Sequence, residues 1–163
     1  FTGVICFGLI LTEDGPKVLE YNARFGDPEA QVVLPRMQND MIEVMEACID
    51  GRLDEIDLEF TEDPCVCVVL ASDGYPVSYE KGYPISGLEK FEDKDRYFVF
   101  HAGSAFDSEG RIVTNGGRVL GITALGKDLK EARANAYEAV EWVDFGNKYY
   151  RHDIGKAIEE YQR

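Results

Sequence analysis

The spacing of apolar and polar residues changes several times along this chain, and each change marks an element. Val4 to Leu11 is an almost unbroken apolar run. Such a run predicts a strand buried on both faces. Glu13-Asp14-Gly15-Pro16 supplies turn residues, and Lys17 to Asn22 predicts a second strand. The two should pair as an antiparallel hairpin. Asp27-Pro28 predicts a helix start, with Asp at the N-cap and Pro at the first helical position. Pro35 should end or kink that helix. Asn39 or Asp40 caps a second helix, with Met41, Met45, Cys48 and Ile49 at helical spacing and Gly51 at its end.

From Arg52 to Pro64 the chain turns acidic and loop-like, which predicts a boundary between two substructures, 1–60 and 61–163. Beyond it, Cys65–Ala71, Tyr97–Phe106, Arg111–Thr114 and Arg118–Ala124 read as strands. Asp73-Gly74-Tyr75-Pro76 and Asp107-Ser108-Glu109-Gly110 are turns, and Asn115-Gly116-Gly117 is a tight turn between the last two strands. Asp128 caps a helix running to about Val143, with Glu131 at its third position and Ala132, Ala136, Ala139, Val140 and Val143 as its apolar stripe. Strands mixed with helices, and a hairpin in place of repeated βαβ units, predict an α+β fold.

Composition narrows the picture. A length of 163 residues suits one ordinary domain or two small ones, and 45% hydrophobic residues is the content of a folded chain. Thirty-one acidic against 17 basic residues give a net charge of −14, which repels nucleic acid and anionic membrane. No apolar run approaches the roughly 20 residues of a membrane span. Phe1 is not a start methionine and no basic stretch precedes the first apolar run, so the chain reads as a piece of something longer. Cys6, Cys48, Cys65 and Cys67 lack zinc-site spacing and are expected as free, buried thiols of a reducing cytoplasm.

The densest chemistry lies in Glu20-Tyr-Asn-Ala-Arg-Phe-Gly-Asp-Pro-Glu29. In an extended strand Glu20 and Asn22 share one face, about 7 Å apart along the backbone. A carboxylate and an amide oxygen are hard ligands that suit Mg²⁺, which takes its remaining ligands from water and phosphate. The same spacing suits a polar strand end facing water. Arg24 follows on that face if the strand continues, and its rigid fork matches carboxylate or phosphate. Asp27 and Glu29 could orient Arg24, cap the helix or contact substrate. Elsewhere, Asn115-Gly116-Gly117-Arg118 suits either a backbone cradle for an anion or a hairpin turn. His101 suits a general base or a structural histidine. His152, Tyr149 and Tyr150 suit packing of the C-terminal tail.

Arg24-Phe25-Gly26-Asp27-Pro28-Glu29, preceded by Glu20-x-Asn22, resembles the signature of the glycinamide ribonucleotide synthetase (phosphoribosylamine–glycine ligase) family. Phe100-His101-Ala102-Gly103, Thr114 to Leu120 and Asp153-Ile154-Gly155 resemble further segments of it, in order, over essentially the whole chain. The resemblance implies the end of an ATP-grasp domain followed by a small, mixed, β-rich C-terminal domain. It implies a cytoplasmic ligase of purine biosynthesis that uses ATP with Mg²⁺ or Mn²⁺. ATP phosphorylates glycine, and the amine of 5-phosphoribosylamine attacks the glycyl phosphate. On this reading Glu20 and Asn22 hold the metal. Arg24 is catalytic and meets phosphate. Arg24, Asp27, Glu29, Gly116, Gly117 and Arg118 face substrate. Many ATP-grasp relatives carry another acidic ligand about twelve residues before the Glu of Glu-x-Asn, where this chain has Gly8. The partners implied are small molecules and the remainder of the enzyme's own chain, without which this piece should neither bind ATP tightly nor catalyse ligation. Another ATP-grasp ligase, or a non-catalytic ATP-grasp remnant that binds a partner, fits the Glu-x-Asn strand as well.

Overall fold

The first two strands pair as expected. In the computed structural model, which describes residues 1–157, β1 (Cys6–Thr12) and β2 (Gly15–Asn22) form an antiparallel hairpin. Its register sets Gly8 opposite Glu20 and Cys6 opposite Asn22, with a bulge between Gly8 and Leu9. Burial on both faces does not follow. Leu9, Ile10 and Leu11 are 55, 47 and 83% exposed. A two-stranded ribbon needs a second layer to hide its apolar residues, and among the described residues these strands pair only with each other.

The chain divides into two compact units, Phe1–Glu62 and Asp63–Arg163. In the first, the helix expected at Asp27-Pro28 starts later. Residues 27–29 form a turn, and α1 (Ala30–Val33) has Glu29 at its N-cap with no side-chain cap bond. Asp27 does not cap it; its carboxylate instead accepts from Gln31 Nε2 at 2.9 Å. Pro35 acts as its chemistry requires, and the helix passes into a 3₁₀ turn at Leu34–Arg36. α2 (Met41–Asp50) is capped by Asp40, whose Oδ1 accepts from Ile42 N at 2.8 Å, and ends at Gly51 in the left-handed region. Asn39 instead ties down the loop beyond α2, where its amide bonds Asp57 O (3.0 Å) and Glu59 N (2.7 Å). Met41, Met45, Cys48 and Ile49 line an apolar cavity of about 480 Å³ with Leu34 and Phe60.

The second unit has a covered core. β3 (Cys65–Ser72), β4 (Tyr97–His101), β7 (Arg118–Leu125) and β8 (Lys148–Tyr149) form an antiparallel sheet in the order β4-β7-β3-β8. Alternate residues Val68 and Leu70 of β3, and Leu120 and Ile122 of β7, are fully buried. They belong to one cluster with Ala132, Ala136, Ala139 and Val140 of α3 (Leu129–Val140). Small alanines let the helix sit close to the sheet. Asp128 caps α3 by accepting from Glu131 N at 2.8 Å. The helix stops three residues before Val143, which is nonetheless fully buried.

The expected strand from Tyr97 to Phe106 is broken. β4 ends at His101, and β5 (Ser104–Phe106) leaves to pair with β6 (Ile112–Thr114) in a separate two-stranded sheet. At the break, Ala102 N and Gly103 N donate to the carbonyls of Val119 and Arg118 at 3.0 and 2.8 Å. Asn115-Gly116-Gly117 is consequently no hairpin turn. It carries the chain from β6 to β7, which lies between β3 and β4. Every paired strand is antiparallel, so the fold is α+β. The C-terminal segment packs on α3: Tyr137 Oη donates to Arg151 O (2.7 Å) and accepts from Ile154 N (3.0 Å). The four cysteines are thiols, half-buried rather than fully buried. No helix among the described residues is long and apolar enough to cross a membrane.

Candidate functional site

The sequence-predicted residues fall on the two units, which are described separately. In the first, β2 brings Glu20 and Asn22 to one face because strand side chains alternate. Asn22 Nδ2 donates to Glu20 Oε1 at 3.0 Å. Glu20 is exposed and Asn22 half-buried, so the pair sits at the mouth of the hairpin rather than within a core. A carboxylate and an amide on one face offer two hard oxygens, which fit a divalent cation completed by water and phosphate once the Asn22 amide turns its oxygen, in place of its N–H, toward Glu20. No group of three or more His, Cys, Asp or Glu among the described residues offers an all-protein metal cage.

Arg24 does not continue the strand face. β2 ends at Asn22, residues 23–24 bend, and Arg24 Nη1 donates to Phe25 O at 2.7 Å. The guanidinium is exposed and keeps further donors for an anion. Glu29 folds its carboxylate over Gly26, where a Cβ would collide with it. Ala30 N bonds Gly26 O at 2.9 Å, closing the turn. Asp27 and Glu29 thus occupy opposite ends of one tight turn. Gln31 is the residue that sequence reasoning missed here. Its four-residue spacing from Asp27 was the available signal.

In the second unit, Gly116 and Gly117 are held by their carbonyl oxygens. Ser72 Oγ donates to Gly116 O (2.9 Å), and Ser72 N to Gly117 O (2.7 Å). Asn115 N donates to Gly103 O at 2.7 Å. A Cβ on Gly103 would lie 2.5 Å from Gly116 Cα, so two stretches of backbone cross in contact. The Tyr75 ring lies against Gly117. Arg118 is exposed at the start of β7. The segment is therefore a packed crossover with an arginine at its exit. Ser72 and Tyr75 gave no local signal, because they meet Gly116 and Gly117 across more than 40 residues of chain.

The remaining candidates have structural partners. His101 Nδ1 is 2.7 Å from Ser104 Oγ, spanning the break between β4 and β5. The Tyr150 phenol donates to Glu141 Oε1 at 2.5 Å, and this bond, with burial, pushes its pKa up to about 12. The His152 ring lies 4.6 Å from that of Tyr150, and Arg133 Nη2 donates to its carbonyl at 3.0 Å. Tyr150 and His152 thus serve tail packing. Asp107 accepts from Arg111 and Glu109 backbone N–H groups and from the Arg111 side chain, which holds its carboxyl below the usual range; it fixes the β5–β6 turn.

Comparison with known proteins gives these positions a family context. Residues 65–157 match the family model "Phosphoribosylglycinamide synthetase, C domain", and residues 1–30 match "Phosphoribosylglycinamide synthetase, ATP-grasp (A) domain". The chain is similar to the phosphoribosylamine–glycine ligase of Halalkalibacterium halodurans, 53% identical over 161 residues, 98% of this chain and 36% of that protein. The ligase of Caldanaerobacter subterraneus is 51% identical over 154 residues, 94% of this chain and 36% of its own length. The trifunctional purine biosynthetic protein adenosine-3 of Gallus gallus is 47% identical over 95% of this chain, which is 15% of that protein. The crystal structure of phosphoribosylamine–glycine ligase from Thermotoga maritima matches with a TM-score of 0.73 at 38% identity, over 92% of this chain and 36% of that one. The chain thus spans about a third of the length of the curated single-function ligases it matches. With its C-domain model matched over residues 65–157 and its ATP-grasp model over the hairpin, the chain belongs to the phosphoribosylglycinamide synthetase family.

Proposed function

We propose that these residues are the ATP-grasp end and C domain of a phosphoribosylamine–glycine ligase. The whole enzyme joins glycine to 5-phosphoribosylamine with ATP, giving glycinamide ribonucleotide, ADP and phosphate. The observation that carries the reading is the Glu20–Asn22 contact at 3.0 Å, within the stretch matched by the ATP-grasp model.

Glu20 and Asn22 hold Mg²⁺ or Mn²⁺. When bound, the ion neutralises phosphate charge and aligns the transferred group. To serve as a ligand, Asn22 withdraws its N–H from the Glu20 carboxylate and turns its amide oxygen inward. Arg24, anchored by the Phe25 carbonyl at 2.7 Å, directs its remaining donors to phosphate or to the acyl-phosphate oxygens. Asp27 and Glu29 position the turn that carries Arg24 and accept from substrate hydroxyl or amine groups. Gly116 and Gly117 fix the crossover, and Arg118 at its exit meets an anionic part of the substrate. The partners are small molecules and the rest of the enzyme's own chain. A net charge of −14 opposes nucleic acid and anionic membranes as partners. Four cysteines present as thiols suit a reducing cytoplasm.

The test is ADP release by the full-length protein with Mg²⁺, glycine and freshly prepared 5-phosphoribosylamine. Release that requires both co-substrates is expected. Release indifferent to glycine would leave an ATP-grasp enzyme acting on a different acid, and the proposal would fail.

A further inference from the structure

Gly8 lies directly across the hairpin from Glu20. A Cβ built on Gly8 would stand 2.9 Å from Glu20 Cγ, and 3.7 Å from Glu20 N and O. The first distance is too short for two carbons; the others are ordinary contact. The collision is therefore with the side chain of Glu20 at its second carbon, not with backbone. Rotating that carbon away relieves it and swings the carboxylate at its end. Backbone conformation does not ask for glycine here. Gly8 sits within β1 and is not among the glycines of positive φ. What glycine supplies at this position is empty space, and Glu20 fills it.

We propose that Gly8 is a positioning residue for the metal-binding carboxylate. Its missing side chain allows Glu20 the conformation that meets Asn22, and any side chain at position 8 would rotate Glu20 away from it. This rests on the reading of Glu20 and Asn22 as metal ligands. Groups that orient a ligand typically change metal affinity by about 10–100-fold when altered.

The test measures Mn²⁺ binding to the full-length protein, with a non-hydrolysable ATP analogue present, by the electron paramagnetic resonance signal of free Mn²⁺. Gly8→Ala and Glu20→Ala should each raise the dissociation constant about tenfold or more. The double variant should bind no more weakly than Glu20→Ala, because both changes remove the same interaction. Gly15→Ala is the control in the same hairpin. It forces a side chain onto φ +99° but meets nothing within 4 Å, so it should lower stability and leave Mn²⁺ affinity unchanged. Wild-type affinity in Gly8→Ala beside weakened Glu20→Ala would overturn the role of Gly8 and leave the metal reading standing. Equal losses in Gly8→Ala and Gly15→Ala, or additive losses in the double variant, would overturn it in favour of general hairpin damage. Unchanged affinity in Glu20→Ala would remove both readings.

Discussion

The β1–β2 hairpin and the β3–β7 pair are built from similar apolar strands, yet they differ in burial. Leu70 and Ile122 are fully buried, whereas Leu9 and Leu11 are 55 and 83% exposed. The difference lies in what covers each pair. α3 lays its alanine stripe on the second sheet, while the hairpin is a lone ribbon. An apolar run therefore records a demand for burial, and the covering layer can lie outside the unit that carries the run. The ATP-grasp model matches this chain only over residues 1–30, and the chain spans 36% of the Halalkalibacterium relative. In our reading the remainder of the enzyme covers the hairpin.

The largest effect expected from this contrast is in the core. Leu70→Ala should cost about 2–5 kcal/mol, through lost burial and the cavity left behind. Trp142, the single tryptophan, packs 5.2 Å from Phe91 and 4.9 Å from Tyr97, so its fluorescence reports unfolding of the second unit. Leu9→Ala in this chain should change stability by no more than about 0.5 kcal/mol. In the full-length protein the same substitution should cost about 2–5 kcal/mol, if another layer covers it. Equal effects of Leu9→Ala in the two lengths would break the comparison.

An intermediate effect is expected at the helix caps, which do not depend on distant layers. Asp128→Ala should destabilise by about 1 kcal/mol, and Asp40→Ala by a similar amount, since each carboxylate accepts from a first-turn N–H at 2.8 Å. Urea unfolding, followed by Trp142 fluorescence for Asp128→Ala and by helical circular dichroism for Asp40→Ala, checks both. A cap on α2 worth nothing beside a normal cap on α3 would show the first unit to be loosely formed in this chain.

The smallest effect is a pH dependence. Glu141 accepts from the Tyr150 phenol, and this bond, then burial, raises the phenol's pKa from 10.0 to about 12. A raised folded-state pKa means that the fold favours the protonated phenol. The contribution is complete below pH 10 and is lost as pH rises towards 12. Wild-type unfolding midpoints should therefore fall more steeply than those of Tyr150→Phe over that interval. Parallel slopes would show that the tail bond contributes nothing.

Local chemistry was legible in the sequence wherever the answer lay within a few residues. Asp40 and Asp128 cap as their positions predict, Pro35 ends α1, and Gly51 closes α2. The Glu20–Asn22 contact follows from strand alternation alone. Failures came where a distant partner decided. Tyr97–Phe106 breaks because Gly103 is drawn onto Arg118 and Gly116. Asn115-Gly116-Gly117 has the composition of a hairpin turn, but Ser72 holds it as a crossover from 44 residues away. Asp27 had the right identity for a cap, and Gln31 claimed its carboxylate instead. Arg24 left the strand face because β2 ended two residues earlier. None of these outcomes is written in the local spacing of apolar residues.

The most direct measurement is coupled ADP release by the full-length protein carrying Glu20→Ala, compared with wild type over a range of Mg²⁺ concentrations. The account predicts that turnover falls at least about 100-fold, the upper range for a disturbed metal site, while the far-ultraviolet circular dichroism of the variant stays that of the wild type. Wild-type turnover and unchanged Mg²⁺ dependence in Glu20→Ala would contradict it, because the carboxylate at the centre of the site would then hold nothing.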